Sequence, residues 1–161
     1  MIKRILSAIL LFSALLSLFA CNEEKIYGHA ELQIALDEDF DEFDSESFDA
    51  VYTNGKAIVG IMRISFEASF NEGIPDALTP EQFARLYKTI TKRDAEITFH
   101  GNTPYYEYRE LQDGVENSYL ASFYRSKHAY FAVIFATPTA FYPELKNEFL
   151  SLTDTVIFVY S

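Results

Sequence analysis

An acidic stretch between residues 37 and 49 carries the densest set of side chains that could bind a metal ion. It holds eight Asp or Glu residues and no Lys or Arg. Asp37, Asp39 and Asp41 have the spacing of the first three ligands of an EF-hand calcium loop. The sixth position, however, is Glu42 instead of glycine, and the twelfth is Phe48 instead of glutamate. The stretch is therefore not an EF-hand.

A looser carboxylate site for calcium remains an alternative. Its candidate ligands are Asp37, Asp39, Asp41, Glu42 and Asp44. We favour a solvated acidic loop whose phenylalanines insert at the end of a sheet, because runs of like charge usually lie in solvent. Those phenylalanines are Phe40, Phe43 and Phe48. We accordingly expect no metal and no cofactor.

A group of tyrosines in the second half of the chain could line a ligand groove or a partner surface. Tyrosine suits interfaces because its ring is apolar and its tip is polar. It also fills β-strands well, so a purely structural role is the competing interpretation. The group consists of Tyr105, Tyr106, Tyr108, Tyr119, Tyr124 and Tyr130.

Catalytic patterns are weak in this chain. The histidines, His29, His100 and His128, have no zinc-site spacing, and no Gly-x-Ser-x-Gly motif is present. Glu107 and Glu110 could form an acid–base pair, but alternation along a strand explains them equally well. We therefore expect no enzymatic activity and no catalytic residue, with a weak hydrolase-type activity as the alternative.

The N-terminus has the pattern of a secretory signal. Lys3 and Arg4 precede an apolar run over residues 5–20, and Cys21, which is the only cysteine, follows Ala20. The run is shorter than the roughly 20 residues of a membrane-spanning helix. An ordinary cleaved signal would have a small residue where Leu18 stands.

Residues 18–21 resemble a bacterial lipobox. This resemblance implies removal of residues 1–20 and lipid attachment, with palmitate-type acyl chains, at Cys21. Two or three acyl chains would anchor the protein stably, which a single chain does not. We expect residues 21–29 to be a lipidated tether, with residues 22–28 as a polar linker, in an extracytoplasmic protein of the bacterial cell envelope.

The remaining 141 residues have the length of one domain, predicted over residues 30–161. Loss of the two basic signal residues changes the formal net charge from −11 to −13. This charge argues against nucleic-acid binding, because no basic stripe could neutralise phosphates. It also argues against contact between the folded domain and anionic lipid. The sequence does not indicate an oligomeric state.

Hydrophobic periodicity predicts strands and two amphipathic helices. The helices are expected near residues 79–93, where Thr79, Pro80 and Gln82 suit a capping box, and 141–152. The strands are expected at 30–36, 48–53, 56–66, 95–99, 103–111, 115–125, 129–136 and 155–160. Asn54-Gly55 predicts a type I′ hairpin turn. Several strands are apolar on both faces, which predicts an α+β fold in which helices cover both faces of a largely antiparallel sheet.

The order of these segments resembles the PsbP-like superfamily over residues 30–160. The resemblance combines a turn at Asp39-Phe40, the Asn-Gly hairpin, a helix start at 78–83, the segment 101–108 before an aromatic hairpin, and a helix that leads into a last apolar strand. It implies an α/β/α sandwich and a non-catalytic role in binding partner proteins or assemblies. We therefore expect an envelope lipoprotein with an unknown protein partner, and a small-molecule or calcium-binding lipoprotein as the alternative.

Overall fold

Ten strands and three helices make up the part of the chain that the computed structural model describes, residues 24–71, 73–75 and 77–160. The signal segment and Cys21 lie outside it. The strands are β1 (Glu24–His29), β2 (Leu32–Asp37), β3 (Asp41–Phe43), β4 (Ala50–Thr53), β5 (Ile58–Ser65), β6 (Thr98–His100), β7 (Thr103–Gln112), β8 (Val115–Arg125), β9 (Ala129–Pro138) and β10 (Ile157–Phe158). The helices are α1 (Phe66–Asn71), α2 (Pro80–Ile90) and α3 (Tyr142–Thr153).

Seven strands form one antiparallel sheet in the order β3-β4-β5-β9-β8-β7-β6. The long strands β5, β9, β8 and β7 occupy its centre, and the three-residue strands β3 and β6 form its edges. Short edge strands limit the unpaired backbone that a sheet offers to other chains. The prediction of an α+β domain built on a large antiparallel sheet is confirmed.

A second, three-stranded sheet has the order β1-β2-β10. The sequence predicts a polar linker over residues 22–28, but from Glu24 onward the chain is strand β1, in which Glu24 lies opposite Asp37. Tyr27 explains the difference. It is buried, and its hydroxyl donates a hydrogen bond to the Phe40 carbonyl oxygen at 2.5 Å. A single buried side chain between polar neighbours gave too weak a pattern to predict a strand.

Two hydrophobic clusters lie on the two faces of the large sheet. Along β9, Phe131, Val133 and Phe135 belong to one cluster, and Tyr130, Ala132 and Ile134 belong to the other. This alternation is what a strand buried on both faces requires. The first cluster includes Phe149 of α3 and the core of the small sheet, and the second includes Phe83 of α2. Residues of the small sheet therefore belong to the first cluster, which the sequence did not predict.

Helix α2 begins with the predicted capping box. The Thr79 hydroxyl accepts a hydrogen bond from the Gln82 amide at 3.2 Å, and the Gln82 side chain accepts one from the Thr79 amide at 2.9 Å. Pro80 follows the cap, where its missing N–H has no cost. These local contacts orient the helix so that Phe83 and Ala84 are buried against the sheet.

The hairpin at Asn54-Gly55 is present, but its turn is not type I′. Only Gly55 has a positive φ, at 80°, and the Asn54 side-chain oxygen instead accepts hydrogen bonds from the amides of Lys56 and Ala57. The I′ pattern of two positive φ angles occurs at Asp113 (51°) and Gly114 (83°), between the paired residues Gln112 and Val115. No helix in the described part of the chain is long and apolar enough to cross a membrane.

Candidate functional site

An apolar groove lies at one end of the α2-side face of the large sheet. Helix α2 packs on β7 and β8 at the other end of this face, and the groove, of about 310 Å³, stays open. Phe43 and Ile58 on its rim are 62% and 46% exposed. Its apolar lining consists of Phe43, Phe48, Val51, Ile58, Ile134 and Ala136. Its polar lining consists of Ser45, Ser47, Gln112 and Tyr119.

Part of the lining is a close contact between Phe48 and Gly60. A β-carbon on Gly60 would lie 2.8 Å from two atoms of the Phe48 ring, so only glycine admits the ring there. The next residue, Asp49, holds this arrangement by two hydrogen bonds to β5. Its carboxylate accepts from the Arg63 amide at 2.6 Å, and its own amide donates to the Ile61 carbonyl oxygen at 2.9 Å.

Tyr119 lines the groove on the β8 side and is supported by an aromatic stack. Its ring lies parallel to that of Tyr108, with 4.7 Å between the ring centres. The Arg93 guanidinium lies 4.4 Å from the centre of the Tyr108 ring and pairs with Glu110. Burial and the nearby Glu110 carboxylate raise the pKa of Tyr119, so its hydroxyl is protonated at neutral pH and can donate.

The acidic stretch lies beside the groove. Its edge strand β3 places Asp41 and Phe43 on the groove side, because Phe43 lines the groove and residues two apart share a face. Among the described residues, no three His, Cys, Asp or Glu side chains come together in a group that could hold a metal ion. This holds for the calcium candidates Asp37, Asp39, Asp41, Glu42 and Asp44.

The phenylalanines of this stretch differ in burial. Phe40 is buried and Phe48 is half-buried, so these two do pack against sheets as the favoured interpretation expected. Phe43 is largely exposed and forms part of the groove rim. The stretch is therefore anchored at both ends, and its middle faces solvent.

The structure does not bring the six candidate tyrosines together. Tyr105 and Tyr124 are buried in the cluster that contains Phe149, and Tyr106 and Tyr130 are buried in the cluster that contains Phe83. Burial raises the pKa of Tyr106 to about 12. Only Tyr108 and Tyr119 are half-buried neighbours, and only Tyr119 lines the groove.

Glu107 and Glu110 lie on opposite faces of β7 and cannot act as a catalytic pair. Glu107 accepts a hydrogen bond from the Tyr142 hydroxyl at 2.6 Å and pairs with Lys146 at 2.7 Å. Burial and this bond raise the pKa of Tyr142, and the bond to Glu107 raises the pKa of Lys146. Glu110 pairs with Arg93 on the other face.

The three histidines occupy separate local environments. His100 Nε2 lies 3.0 Å from the Asp154 carboxylate, and the His128 ring contacts the Tyr160 ring edge-on. His29 ends strand β1. Each has a local partner or position of its own, and the three do not form a shared site in the described chain.

A second hollow, of about 360 Å³, lies at the opposite end of the molecule between Glu31, His128 and Tyr160. The carboxylate of Glu31 already has partners in the protein: it accepts hydrogen bonds from the Ser126 hydroxyl at 2.7 Å and from Arg63 Nε at 3.3 Å. Burial alone would raise the pKa of Glu31, but these bonds outweigh it and the pKa is lowered. The Glu31 carboxylate in this hollow is therefore already engaged by partners within the protein.

Sequence reasoning missed most of the groove. Its residues come from five separate segments, and no local pattern links them. One signal was available in Gly60, because a glycine inside an apolar strand often marks the close approach of another group. That signal does not say which group approaches, and Phe48 is 12 residues away in sequence.

No family model and no curated protein sequence matches the chain, but several solved structures share its fold. It is similar to a protein from Bacteroides thetaiotaomicron VPI-5482, with a TM-score of 0.58 and 11% identity over 85% of this chain. The chain spans about half (49%) of the length of that protein.

Two further structures match over nearly their whole length. Cyanobacterial PsbP (CyanoP) from Synechocystis sp. PCC 6803 has a TM-score of 0.55 and 13% identity, over 88% of this chain and 95% of its own. LpqN, involved in cell envelope biogenesis of Mycobacterium tuberculosis, has a TM-score of 0.52 and 7% identity, over 86% and 91%. The resemblance to the PsbP-like fold is thus confirmed, and at these identities it concerns the fold alone.

Proposed function

We propose that this protein is a non-enzymatic lipoprotein of the bacterial cell envelope, held at a membrane by a lipid on Cys21, whose domain docks a protein partner through the groove. The observation that carries the docking role is the open apolar rim, where Phe43 and Ile58 are 62% and 46% exposed. A recessed apolar surface that the described chain leaves uncovered is typical of a binding site.

The ionisable side chains around the groove favour binding over catalysis. Glu110 and Arg93 neutralise each other behind the stacked tyrosines. The groove-lining residues themselves carry no charge. A groove of this kind can exclude water from apolar side chains, and within the described chain neither lining serine, Ser45 or Ser47, donates a hydrogen bond to a carboxylate or a histidine as an activated nucleophile would.

The proposed lipid would place the domain close to the membrane. Cys21 precedes Glu24 by three residues, which span at most about 10 Å. Glu24 lies opposite Asp37, and Asp37 and Lys56 both act on the Glu148 carboxyl, so these residues share one end of the molecule. Lys56 belongs to the β4–β5 hairpin, which also contributes to the groove end of the sheet. The proposed anchor and the groove would therefore lie at the same end of the molecule.

The comparisons support an envelope role. One structure of the same fold belongs to a protein involved in cell envelope biogenesis, and another is a cyanobacterial PsbP. We further infer a three-layer arrangement in which α2 and α3 close opposite faces of the sheet, because Phe83 and Phe149 pack on side chains that alternate along β9. A rigid scaffold of this kind suits a binding module.

Cell fractionation tests the anchor. Cys21→Ala should move the protein from the membrane fraction to the supernatant and abolish incorporation of radiolabelled palmitate. Asn22→Ala, which changes the neighbouring residue, should leave both unchanged. Retention of Cys21→Ala in the membrane after a high-salt wash would contradict the proposed lipid.

Site-specific photo-crosslinking in the producing cells tests the docking role. A photoreactive phenylalanine analogue at Ile58 should give a discrete crosslinked protein. The same analogue at Ile157, which has similar exposure on the small sheet, should not. Identical crosslinking patterns from the two positions, or none from Ile58, would argue against the groove as the docking site.

A further inference from the structure

The groove has one strongly acidic side. The segment 41–47 contributes Phe43, Ser45 and Ser47 to the lining, and the residues between and beside them are acidic and exposed. These residues are Asp41, Asp44 and Glu46, whereas Glu42 lies on the other face of β3, opposite Tyr52. None of them has an ion-pair partner among the residues that the structure describes.

Two cations lie near the groove in the fold. Arg93 is stacked on Tyr108 and paired with Glu110, on the far side of Tyr119. Lys56, in the hairpin, lines a hollow that shares Ile58 and Tyr119 with the groove, and it contributes a positive charge beside the groove. Asp41, Asp44 and Glu46 outnumber this lysine, so the potential on this side of the groove is negative toward whatever occupies it.

The strand register aligns this charge with the apolar floor. Asp41 lies opposite Thr53, Thr53 opposite Ile58, Ile58 opposite Ala136, and Ala136 opposite Tyr119. One row across the sheet thus runs from a carboxylate past Thr53 and over the apolar Ile58 and Ala136 to a tyrosine with a polar tip. A ligand lying along this row would meet negative charge at one end and apolar surface in the middle.

We infer that the groove binds a short segment of a protein partner in which large apolar side chains stand next to lysine or arginine. This inference rests on the proposed docking role and specifies the partner's chemistry. A second copy of this chain does not fit, because two domains of formal charge −13 would bring like charges together. Anionic lipid does not fit for the same reason.

Fluorescence anisotropy with labelled synthetic peptides tests the inference, using the chain from residue 22 onward. A peptide of alternating lysine and phenylalanine should bind, and its affinity should fall as salt is raised. A peptide of alternating glutamate and phenylalanine should not bind. A peptide of alternating lysine and serine should bind at least about tenfold more weakly, because it lacks apolar side chains.

Matched variants distinguish binding in the groove from nonspecific attraction of the peptide to the acidic protein surface. Ile58→Ser should weaken binding about tenfold without any change in charge, while Ile157→Ser should leave it unchanged. The double variant Asp41→Asn/Asp44→Asn should weaken binding and flatten its salt dependence. Glu67→Gln/Glu144→Gln, with the same change in net charge at exposed positions elsewhere, should have a smaller effect. Circular dichroism establishes that each variant is folded.

Equal effects of Ile58→Ser and Ile157→Ser, or of the two charge variants, would overturn the inference, because the peptide would then bind the acidic surface in general. Strong binding of the glutamate peptide would also overturn it. The photo-crosslink at Ile58 is independent of these results. A specific crosslink without peptide binding would refute the stated partner chemistry and leave the docking role standing.

Discussion

The ring of Phe48 lies directly against Gly60, and a β-carbon at Gly60 would come within 2.8 Å of it. This contact joins the acidic stretch to the central strand β5 and forms part of the groove. It explains why an apolar strand contains a glycine in its middle.

We predict that Gly60→Ala lowers the free energy of unfolding by about 1–3 kcal/mol, because the added methyl group overlaps the Phe48 ring. Phe48→Ala removes the overlap, so the double variant should be more stable than the sum of the two single effects by about 1 kcal/mol. Urea unfolding of all four proteins measures this coupling. Additive effects would show that the ring moves away at no cost.

Glu31 should make stability depend on pH in the acidic range. Because its folded pKa is lowered below the usual value of 4.5, its contribution is complete above that pH and is lost as the pH falls through the folded value. Glu31→Gln should cost about 1–3 kcal/mol at pH 7, since it breaks a mostly buried ion pair, and less below about pH 4. Thermal melting across pH measures the difference.

Glu81→Gln is the matched control for Glu31→Gln, because Glu81 also pairs with an arginine but is exposed. It should cost less than about 1 kcal/mol at neutral pH. Equal costs at the two positions, or a cost at Glu31 that does not change with pH, would contradict the role assigned to the Glu31 carboxylate.

Removing the charge of Glu148 should stabilise the protein. Burial and repulsion by Asp37 and Asp39 raise the pKa of Glu148, so the ionised carboxylate costs the folded state stability above its unfolded pKa. Because this burial is partial and solvent still reaches the side chain, we expect Glu148→Gln to gain only about 0.5 kcal/mol at pH 7 and low salt. The gain should vanish near pH 3 and shrink at high salt, and Glu144→Gln in the same helix should show no gain.

The Tyr130 hydroxyl should hold the loop before α2 in place. It donates to the Pro75 carbonyl oxygen at 2.7 Å and accepts from the Leu78 amide at 2.9 Å, and the side chain is fully buried. Tyr130→Phe should cost about 1–3 kcal/mol, because the two backbone groups lose their partner. Hydrogen exchange at the Leu78 amide should accelerate more than exchange in β9. Unchanged exchange there would contradict this role.

The sequence predicted the parts of the fold that depend on neighbouring residues. The capping box at Thr79 and Gln82 is a contact within one turn, and the strand at 115–125 matches β8 at both ends. The predicted position of the hairpin at Asn54-Gly55 was also correct. Its turn type was wrong, because the Asn54 side chain bonds to the backbone within a four-residue loop between β4 and β5.

Long-range pairing decided the rest. Alternation along β7 already separates Tyr105 from Tyr106 in the sequence, yet only long-range contacts bury them, in the clusters that contain Phe149 and Phe83 respectively. The strand β1 and the three-residue strand β3 carry too few apolar residues to be recognised. They exist because β2 and β4 supply backbone partners for them.

The sequence by itself determined four properties of the protein: its acidity, its signal pattern, the period of its strands and the start of α2. These are properties of single residues or of neighbours along the chain, which covalent geometry and local sterics control. Only the tertiary structure decided which faces are covered, which carboxylates are paired and where an apolar groove stays open. Those outcomes depend on contacts between residues far apart in sequence, such as Phe48 with Gly60 and Ile58 with Ala136, which no local pattern encodes.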